Sequence, residues 1–173
     1  MKKILQQKEK ILREVAKDVP LSQIKSVKIK KIIKEMTESL KSQHDGVAIA
    51  APQIGYSLRI FLVSGRVLGK RGADSEKESL PDMIFINPKI TKLSKEKGWA
   101  PEGCLSVRWL YGKTHRSKKA TLVAYNENGK KFTRGASGLL AQIFQHETDH
   151  LDGTLFIDLG ERVKDVKEDK PKE

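Results

Sequence analysis

The fold is decided by the stretch Gln145-His146-Glu147-Thr148-Asp149-His150-Leu151-Asp152-Gly153. His146 and His150 are four residues apart, so on a helix both imidazoles lie on the same face. Glu147 follows the first histidine and can reach the same point from the side. Two histidines and a carboxylate that need not be a ligand are the minimal set for a metal-activated water and its base. The stretch therefore predicts a metal site on a helix.

The helix that carries these residues is predicted over residues 135–152. Apolar side chains occupy more than one side of it, which is typical of a helix buried in a core. Ser137 is the expected N-cap residue. Gly153 is expected to end the helix, since glycine commonly follows the last helical residue. The apolar residues are Leu139, Leu140, Ile143, Phe144 and Leu151.

The earlier part of the chain predicts a second helix and several strands. Over residues 22–40 apolar residues follow steps of three and four, which indicates an amphipathic helix with lysines on its outer face. Its apolar positions are Ile29, Ile32, Ile33, Met36 and Leu40. Branched and apolar segments predict strands at residues 58–63, 83–87, 90–93, 121–125 and 131–133. The last two are expected to form a hairpin around an Asn-Gly pair.

The composition bounds the class of protein. The chain has 173 residues, 38% hydrophobic and 32% charged, with a formal net charge of +12. We expect one catalytic domain over residues 1–160 and a charged, frayed tail over residues 161–173. No apolar run reaches bilayer length and the start lacks an apolar leader, so a cytoplasmic protein without a membrane partner is expected. A single cysteine excludes an internal disulfide.

The histidine motif leaves three interpretations open. The helix could be an ordinary core helix with two satisfied histidines, or it could belong to a zinc protease with a third ligand downstream. No histidine follows His150, and Glu161 and Asp165 lie in a stretch too polar to be buried. Upstream, Cys104 offers a thiolate that would complete a Cys-His-His set with one open position for water, which is the arrangement of a catalytic site.

Three separated motifs resemble the signature motifs of peptide deformylases. They are Gly46-Val47-Ala48-Ile49-Ala50-Ala51-Pro52-Gln53-Ile54-Gly55, Glu102-Gly103-Cys104-Leu105-Ser106 and Gln145-His146-Glu147-Thr148-Asp149-His150. Their order and spacing fit the family, and the resemblance covers about residues 5–158. It implies an α+β fold in which antiparallel β-sheets pack around a central buried helix carrying the HExxH motif, with an N-terminal amphipathic helix.

The resemblance also implies the reaction. Peptide deformylases remove the N-formyl group from the formyl-methionine of nascent polypeptides and release formate. By resemblance, Cys104, His146 and His150 bind one divalent metal, Fe(II) natively, for which zinc, nickel or cobalt can substitute. A metal-bound water attacks the formyl carbon with Glu147 as general acid and base. The Gln53 side chain and the Leu105 backbone N–H match the groups that hold the formyl oxygen.

The substrate-binding positions implied by the family are Gly46, Val47, Ala48, Glu102, Leu139 and Ile143. The segment at Val47 and Ala48 would pair with the peptide backbone as an added strand. His146 would also border the methionine pocket, and Glu102 is expected to pair with Arg116. Two positions depart from the family pattern: Ala48 replaces a usual glycine, and Arg108-Trp109 replaces a usual proline and its small or acidic neighbour.

Two other functions compete with deformylation. A metalloprotease would cleave internal peptide bonds regardless of formylation. A non-enzymatic ribosome- or RNA-binding protein with a vestigial site would use the +12 charge. Lysines dominate the positive charge, aromatic residues are only 6% of the chain, and no extended interleaved pattern of the two is evident, so a solvated lysine-rich surface is favoured. We expect a monomer that acts on N-formylmethionyl nascent peptides, contacts the ribosome transiently and binds no specific nucleic acid.

Overall fold

The computed structural model describes residues 1–68 and 80–165, and it has a mixed α/β fold with two antiparallel sheets. In that part of the chain the strands are β1 (Ala48–Ala50), β2 (Ile60–Val63), β3 (Met83–Leu93), β4 (Lys97–Gly103), β5 (Leu110–Ser117), β6 (Lys119–Tyr125), β7 (Lys131–Ser137) and β8 (Glu161–Asp165). The helices are α1 (Val27–Lys41), α2 (Gly138–Leu151) and the single turn α3 (Phe156–Leu159). The coarser part of the predicted α+β class, helices combined with antiparallel sheets, is confirmed.

The larger sheet has the order β1-β2-β3-β6-β7, and its β1-β2 end is buried on both faces. In β2 all four residues are buried. Because successive strand residues point to opposite faces, Ile60 and Leu62 join the core on the α1 side, whereas Phe61 and Val63 join the core on the α2 side. This two-sided burial explains the uninterrupted apolar run of β2.

Helix α1 begins later than the predicted residue 22. The Ser26 hydroxyl accepts a hydrogen bond from the Ile29 amide at 3.3 Å and caps the first turn. The preceding Leu21–Gln23 forms a separate 3-10 turn, which follows Pro20. The apolar residues at steps of three and four pack onto the sheet, as amphipathic spacing requires.

Helix α2 lies between the two sheets. Phe144 packs edge-on against Phe85 of the larger sheet, with ring centroids 5.3 Å apart. On its other side the Gln145 amide bonds both the N–H and the carbonyl of Ser117, at 3.0 and 2.9 Å. Ser137 occupies the N-cap position but makes no side-chain capping bond. At Gly153 φ is +75°, and a Cβ there would lie 2.7 Å from the Arg13 carbonyl, so only glycine fits this helix end.

Strand β3 joins the two strands predicted on either side of Pro88. The register shifts between Ile86 and Lys89, so Pro88 falls in a bulge where its missing N–H breaks no ladder bond. Asn87 has φ +51°, and its side chain bonds the N–H and carbonyl of Val19 at 2.7 and 2.8 Å. The bulge thereby holds Val19, in the segment that precedes α1, against the sheet.

The smaller sheet has the order β4-β5-β8 and corrects the expectation for the tail. A frayed segment was expected from residue 161, but Glu161–Asp165 form β8 and pair with β5. Main-chain hydrogen bonds hold the pair, and they do not require apolar side chains. Val163 also packs against the small core cluster around Leu155 and Phe156. The remainder of the expected tail, residues 166–173, lies outside the described residues.

Within residues 1–68 and 80–165, the helices all fall short of the length and apolar character needed to cross a membrane.

Candidate metal centre

Three side chains with metal-ligating atoms converge beside α2. Cys104 follows the last residue of β4, whereas His146 and His150 project from one face of the helix. Their ligating atoms all lie within 4.8 Å of one another. Cys104 Sγ is 3.1 Å from His150 Nε2, and the two imidazole rings are 4.9 Å apart at 75°. One thiol and two imidazoles thus surround a single point.

The orientation of His146 is set by a buried ion pair. Its Nδ1 lies 2.5 Å from Glu102 Oε1, which leaves Nε2 as the nitrogen available for a metal. Arg116 bonds the same carboxylate through Nη2 at 2.6 Å and Nε at 3.1 Å, so the predicted pairing of Glu102 with Arg116 is confirmed. Burial opposes the charge of Glu102, but the bonds from His146 and Arg116 outweigh it and hold the pKa of that carboxyl well below its usual value.

The sulfur of Cys104 receives two N–H groups. The Ser106 amide lies 3.4 Å away, and the Gln53 side-chain nitrogen Nε2 lies 3.6 Å away. Gln53 is itself held at both ends, because its Oε1 accepts from the Ala50 amide at 2.8 Å and its Nε2 donates to Ser106 Oγ at 3.0 Å. The glutamine therefore has a fixed position beside the candidate ligands.

Glu147 is the chemically unusual member of the site. Its side chain is nearly inaccessible, with the residue 4% exposed, and Oε2 has no hydrogen-bond partner within the described chain. Burial raises the pKa of Glu147 to about 7. An unpartnered buried carboxylate oxygen is costly, so the site suits a further group at this position.

The donor set fits a divalent transition metal. Thiolate and imidazole ligands suit iron, zinc, nickel and cobalt ions, and three protein ligands leave a position open for water. Burial lowers the pKa of His150 well below its usual value, so that imidazole is neutral, as a ligand must be. Burial also opposes the charge of His146, but its contacts with Cys104 and Glu102 outweigh it and raise the pKa of His146 well above its usual value, so this imidazole would give up its proton to bind a metal. The unpartnered Glu147 oxygen lies next to this set in sequence and in the cavity wall.

A cavity of about 280 Å³ lies beside these side chains. The positions predicted for substrate and catalysis line it together: Gly46, Val47, Ala48, Gln53, Glu102, Leu105, Leu139, Ile143 and Glu147. Cys104 and His146 also line it, whereas His150 lies behind them, 1% exposed. The structure therefore brings into one place residues from three separate motifs.

One part of the cavity wall, around Asp45 and Arg108, was not predicted from the sequence. There the two terminal nitrogens of Arg108 donate to the Asp45 carboxylate at 2.6 and 3.0 Å, and Nη2 also donates to the Gln43 side-chain oxygen at 3.0 Å. Tyr111 and Gln142 also line the wall. The places of these two residues in the sequence gave a partial indication of a role at the site. Asp45 directly precedes the first motif, and Arg108 is one of the departures from the family pattern. Nothing in the sequence indicated that the two side chains meet.

A possible Cys-His-His metal site, a buried carboxylate and an adjoining cavity are together what a metal-dependent hydrolase requires. Comparison of the chain with known protein families narrows this class to one family. The family model described as Polypeptide deformylase matches residues 1–166, and the chain belongs to this family.

Individual peptide deformylases are similar to this chain along most of its length. Peptide deformylase 2 of Clostridium acetobutylicum is 38% identical over 159 residues, which cover 92% of this chain and 95% of that protein. The peptide deformylase structure from Thermotoga maritima is 33% identical, with a TM-score of 0.79 over 93% of this chain and 98% of that one. The Met-Ala-Ser-bound enzyme from Acinetobacter baumannii is 28% identical, with a TM-score of 0.79, and the match covers 91% and 98% of the two chains.

Proposed function

We propose that the chain removes the N-formyl group from the N-terminal formyl-methionine of nascent polypeptides and releases formate. Membership of the deformylase family supports this reaction. The observation that carries the residue assignment is the unpartnered, buried carboxylate of Glu147 beside the convergent Cys104, His146 and His150. A proton carrier and a ligand set are thereby joined at the wall of one cavity.

Cys104, His146 and His150 would hold one divalent metal. Fe(II) is the proposed native ion, and zinc, nickel or cobalt can take its place because all of them accept imidazole and thiolate ligands. When bound, the metal polarises the carbonyl oxygen and lowers the pKa of a water ligand. The Glu102 carboxylate would fix the tautomer and orientation of His146 through its Nδ1 contact.

Glu147 is the proposed general acid and base. It would take a proton from the attacking water and later deliver that proton to the nitrogen of the leaving amine. The raised pKa of Glu147, about 7, supports this role, because a proton carrier works best when its pKa lies near the operating pH. The burial that raises this pKa also excludes competing bulk water.

The formyl oxygen would be stabilised by Gln53 and Leu105. The Gln53 side-chain nitrogen is held 3.6 Å from the Cys104 sulfur, and the Leu105 amide belongs to the next residue in the chain. Both therefore border the proposed metal position. Donors fixed before the reaction stabilise the negative charge that grows on the oxygen, without a cost of reorganisation in the transition state.

The peptide would bind along β1. This strand lies at the end of the larger sheet, so one of its edges is not paired with another strand of that sheet, and Gly46, Val47 and Ala48 line the cavity there. An extended peptide can add to such an edge through main-chain hydrogen bonds. Leu139 and Ile143, one turn apart on α2, would receive the methionine side chain with His146. The Met-Ala-Ser ligand of the Acinetobacter baumannii structure supports a groove for at least three residues.

The remaining expectations concern the protein as a whole. We propose that one catalytic domain runs from residue 1 through β8, beyond the predicted end at residue 160, that the chain acts as a monomer in the cytoplasm, and that it contacts the ribosome transiently. The net charge of +12 supports the ribosome contact. Nascent substrates support a location in the compartment of protein synthesis.

The reaction is tested by comparing formyl-Met-Ala-Ser with Met-Ala-Ser. The metal-loaded protein should release formate from the first peptide and leave all peptide bonds in both peptides intact, as mass spectrometry of the products would show. The competing protease predicts cleavage within both peptides. Internal cleavage without formate release would exclude the proposed function in favour of that alternative, which Cys104 as the third member of the ligand set already disfavours.

A further inference from the structure

The outer face of the smaller sheet carries an ordered set of exposed side chains. Directly paired residues of antiparallel strands point to the same face, and successive residues alternate. Glu102, Thr114 and Arg116 point towards α2 and are buried. The opposite face exposes residues from β4 and β5, namely Lys97, Trp99, Pro101, Tyr111, Lys113 and His115.

Two aromatic surfaces on this face are held in place by the sheet. Trp99 and His115 are directly paired across β4 and β5, and their rings stack with centroids 5.0 Å apart and planes at 29°. Tyr111 lies over Gly103, because a Cβ added there would come within 2.6 and 2.7 Å of two ring carbons. Trp99 is nevertheless 52% exposed and Tyr111 40% exposed. The face therefore offers rings that are positioned by the strands but remain open to a ligand.

Lysines surround these rings. Lys97 and Lys113 alternate with Trp99, Tyr111 and His115 along the paired strands, and both are exposed. Lys164 of β8 is paired with Tyr111, so it points to the same side. One acidic residue, Glu161, is paired opposite Lys113. The face thus has an excess of positive charge, in a chain whose formal net charge is +12.

We propose that this outer face of β4, β5 and β8 binds single-stranded RNA. Unpaired bases would stack on Trp99 and Tyr111, and the lysines would contact the phosphates. Exposed rings flanked by cations are what single-stranded nucleic acid requires, whereas the bases of a duplex cannot reach such rings. The choice of RNA over DNA rests on the proposed function, since RNA is the polyanion present where nascent peptides are made.

The position of this face links it to the active site. Pro101, Gly103 and Tyr111 belong both to the outer face and to the wall of the cavity. The metal ligands lie on the other side of the sheet, towards α2. RNA bound to the face would therefore lie beside this cavity wall, and the three metal-ligating side chains would stay uncovered.

Binding is tested by fluorescence anisotropy of the full chain with a labelled oligouridine of about 12 nucleotides. Trp99→Ala should raise the dissociation constant about tenfold, whereas Trp99→Phe should keep most of the affinity. Inorganic polyphosphate of matched charge has no bases, so Trp99→Ala should change its binding less than about twofold. A Trp99→Ala protein that binds both ligands as the unchanged chain does, or an unchanged chain that binds no RNA, would overturn the proposal.

A matched pair of lysine variants separates local charge from total charge. Lys97→Ala with Lys113→Ala removes two cations from the face, and Lys30→Ala with Lys31→Ala removes two exposed cations from α1. Only the first pair should flatten the dependence of log affinity on log salt, by about 1.4 for two phosphate contacts on a single strand. Equal effects of both pairs would contradict a defined site. Formate release by Trp99→Ala should match that of the unchanged chain, so a failure of RNA binding is distinguishable from a failure of the proposed function.

Discussion

Replacing Glu147 with glutamine should lower the rate of formate release by a factor of about 10²–10⁴ and leave the metal content unchanged. Glutamine has nearly the same shape as glutamate, but it cannot take a proton from water and deliver it to a leaving amine. The carboxylate is not one of the three convergent ligands, so its loss should not release the metal. The rate is measured with formyl-Met-Ala-Ser, and the metal by elemental analysis of the same sample.

The control for Glu147→Gln is Glu127→Gln. Glu127 is exposed in the turn between β6 and β7, and the same chemical change there should leave the rate unaltered. If Glu147→Gln keeps the full rate with its metal bound, Glu147 is not the proton carrier. If the variant loses its metal, a role in binding replaces the proposed role in proton transfer.

Replacing Arg116 with methionine should lower the free energy of unfolding by about 3–5 kcal/mol. The side chains of Arg116 and Glu102 are only 9% and 3% exposed, and the guanidinium also bonds Asp149 at 2.6 Å. Methionine fills the volume but leaves the buried Glu102 carboxylate without the permanent charge of Arg116, with only His146 as a cationic neighbour. Urea unfolding of the metal-free protein measures the difference, so that metal affinity does not contribute to it.

The control for Arg116→Met is Lys118→Met. Lys118 pairs with Glu96 on the surface, where both side chains are more than half exposed, so its replacement should cost less than about 1 kcal/mol. A loss after Arg116→Met as small as that would contradict the importance of the buried pair.

The cost of Arg116→Met should also depend on pH. The pKa of Glu102 is lowered in the folded chain, so its contribution to stability is present above the unfolded pKa and is lost as the pH falls towards the folded pKa. Without Arg116 the folded pKa should rise, and protonation should then remove the buried charge at mildly acidic pH. The difference in stability between the unchanged chain and the variant is therefore expected to shrink as the pH falls.

The motif helix could be predicted from sequence because its signals are local. The spacing of His146 and His150 fixes a common helix face, and Gly153 supplies the left-handed residue at the end. Cys104 was inferred from its chemistry and from the resemblance, and the structure brings its sulfur to 3.1 Å from His150. The start of α1 was misplaced because the spacing of apolar residues does not fix a helix end, which here is set by the capping bond from the Ile29 amide to the Ser26 hydroxyl.

The smaller sheet could not be predicted from hydrophobic alternation. Its inward positions include Glu102, Thr114 and Arg116, which are buried in a polar network rather than in an apolar core. A search for alternating apolar residues therefore finds no strand in β4 or β5. The aromatic and basic face was hidden for a related reason, since Trp99 and His115 are brought together by strand pairing and no local spacing connects them.

The central claim, metal-dependent deformylation at the Cys104, His146 and His150 centre, is tested most directly by removing and restoring the metal. Formate release from formyl-Met-Ala-Ser is measured anaerobically on the loaded protein, after chelation, and during titration with Fe(II). We predict that chelation abolishes the release and that activity returns in proportion to added metal, with saturation at one ion per chain. A metal-free protein that releases formate at the full rate would contradict the account.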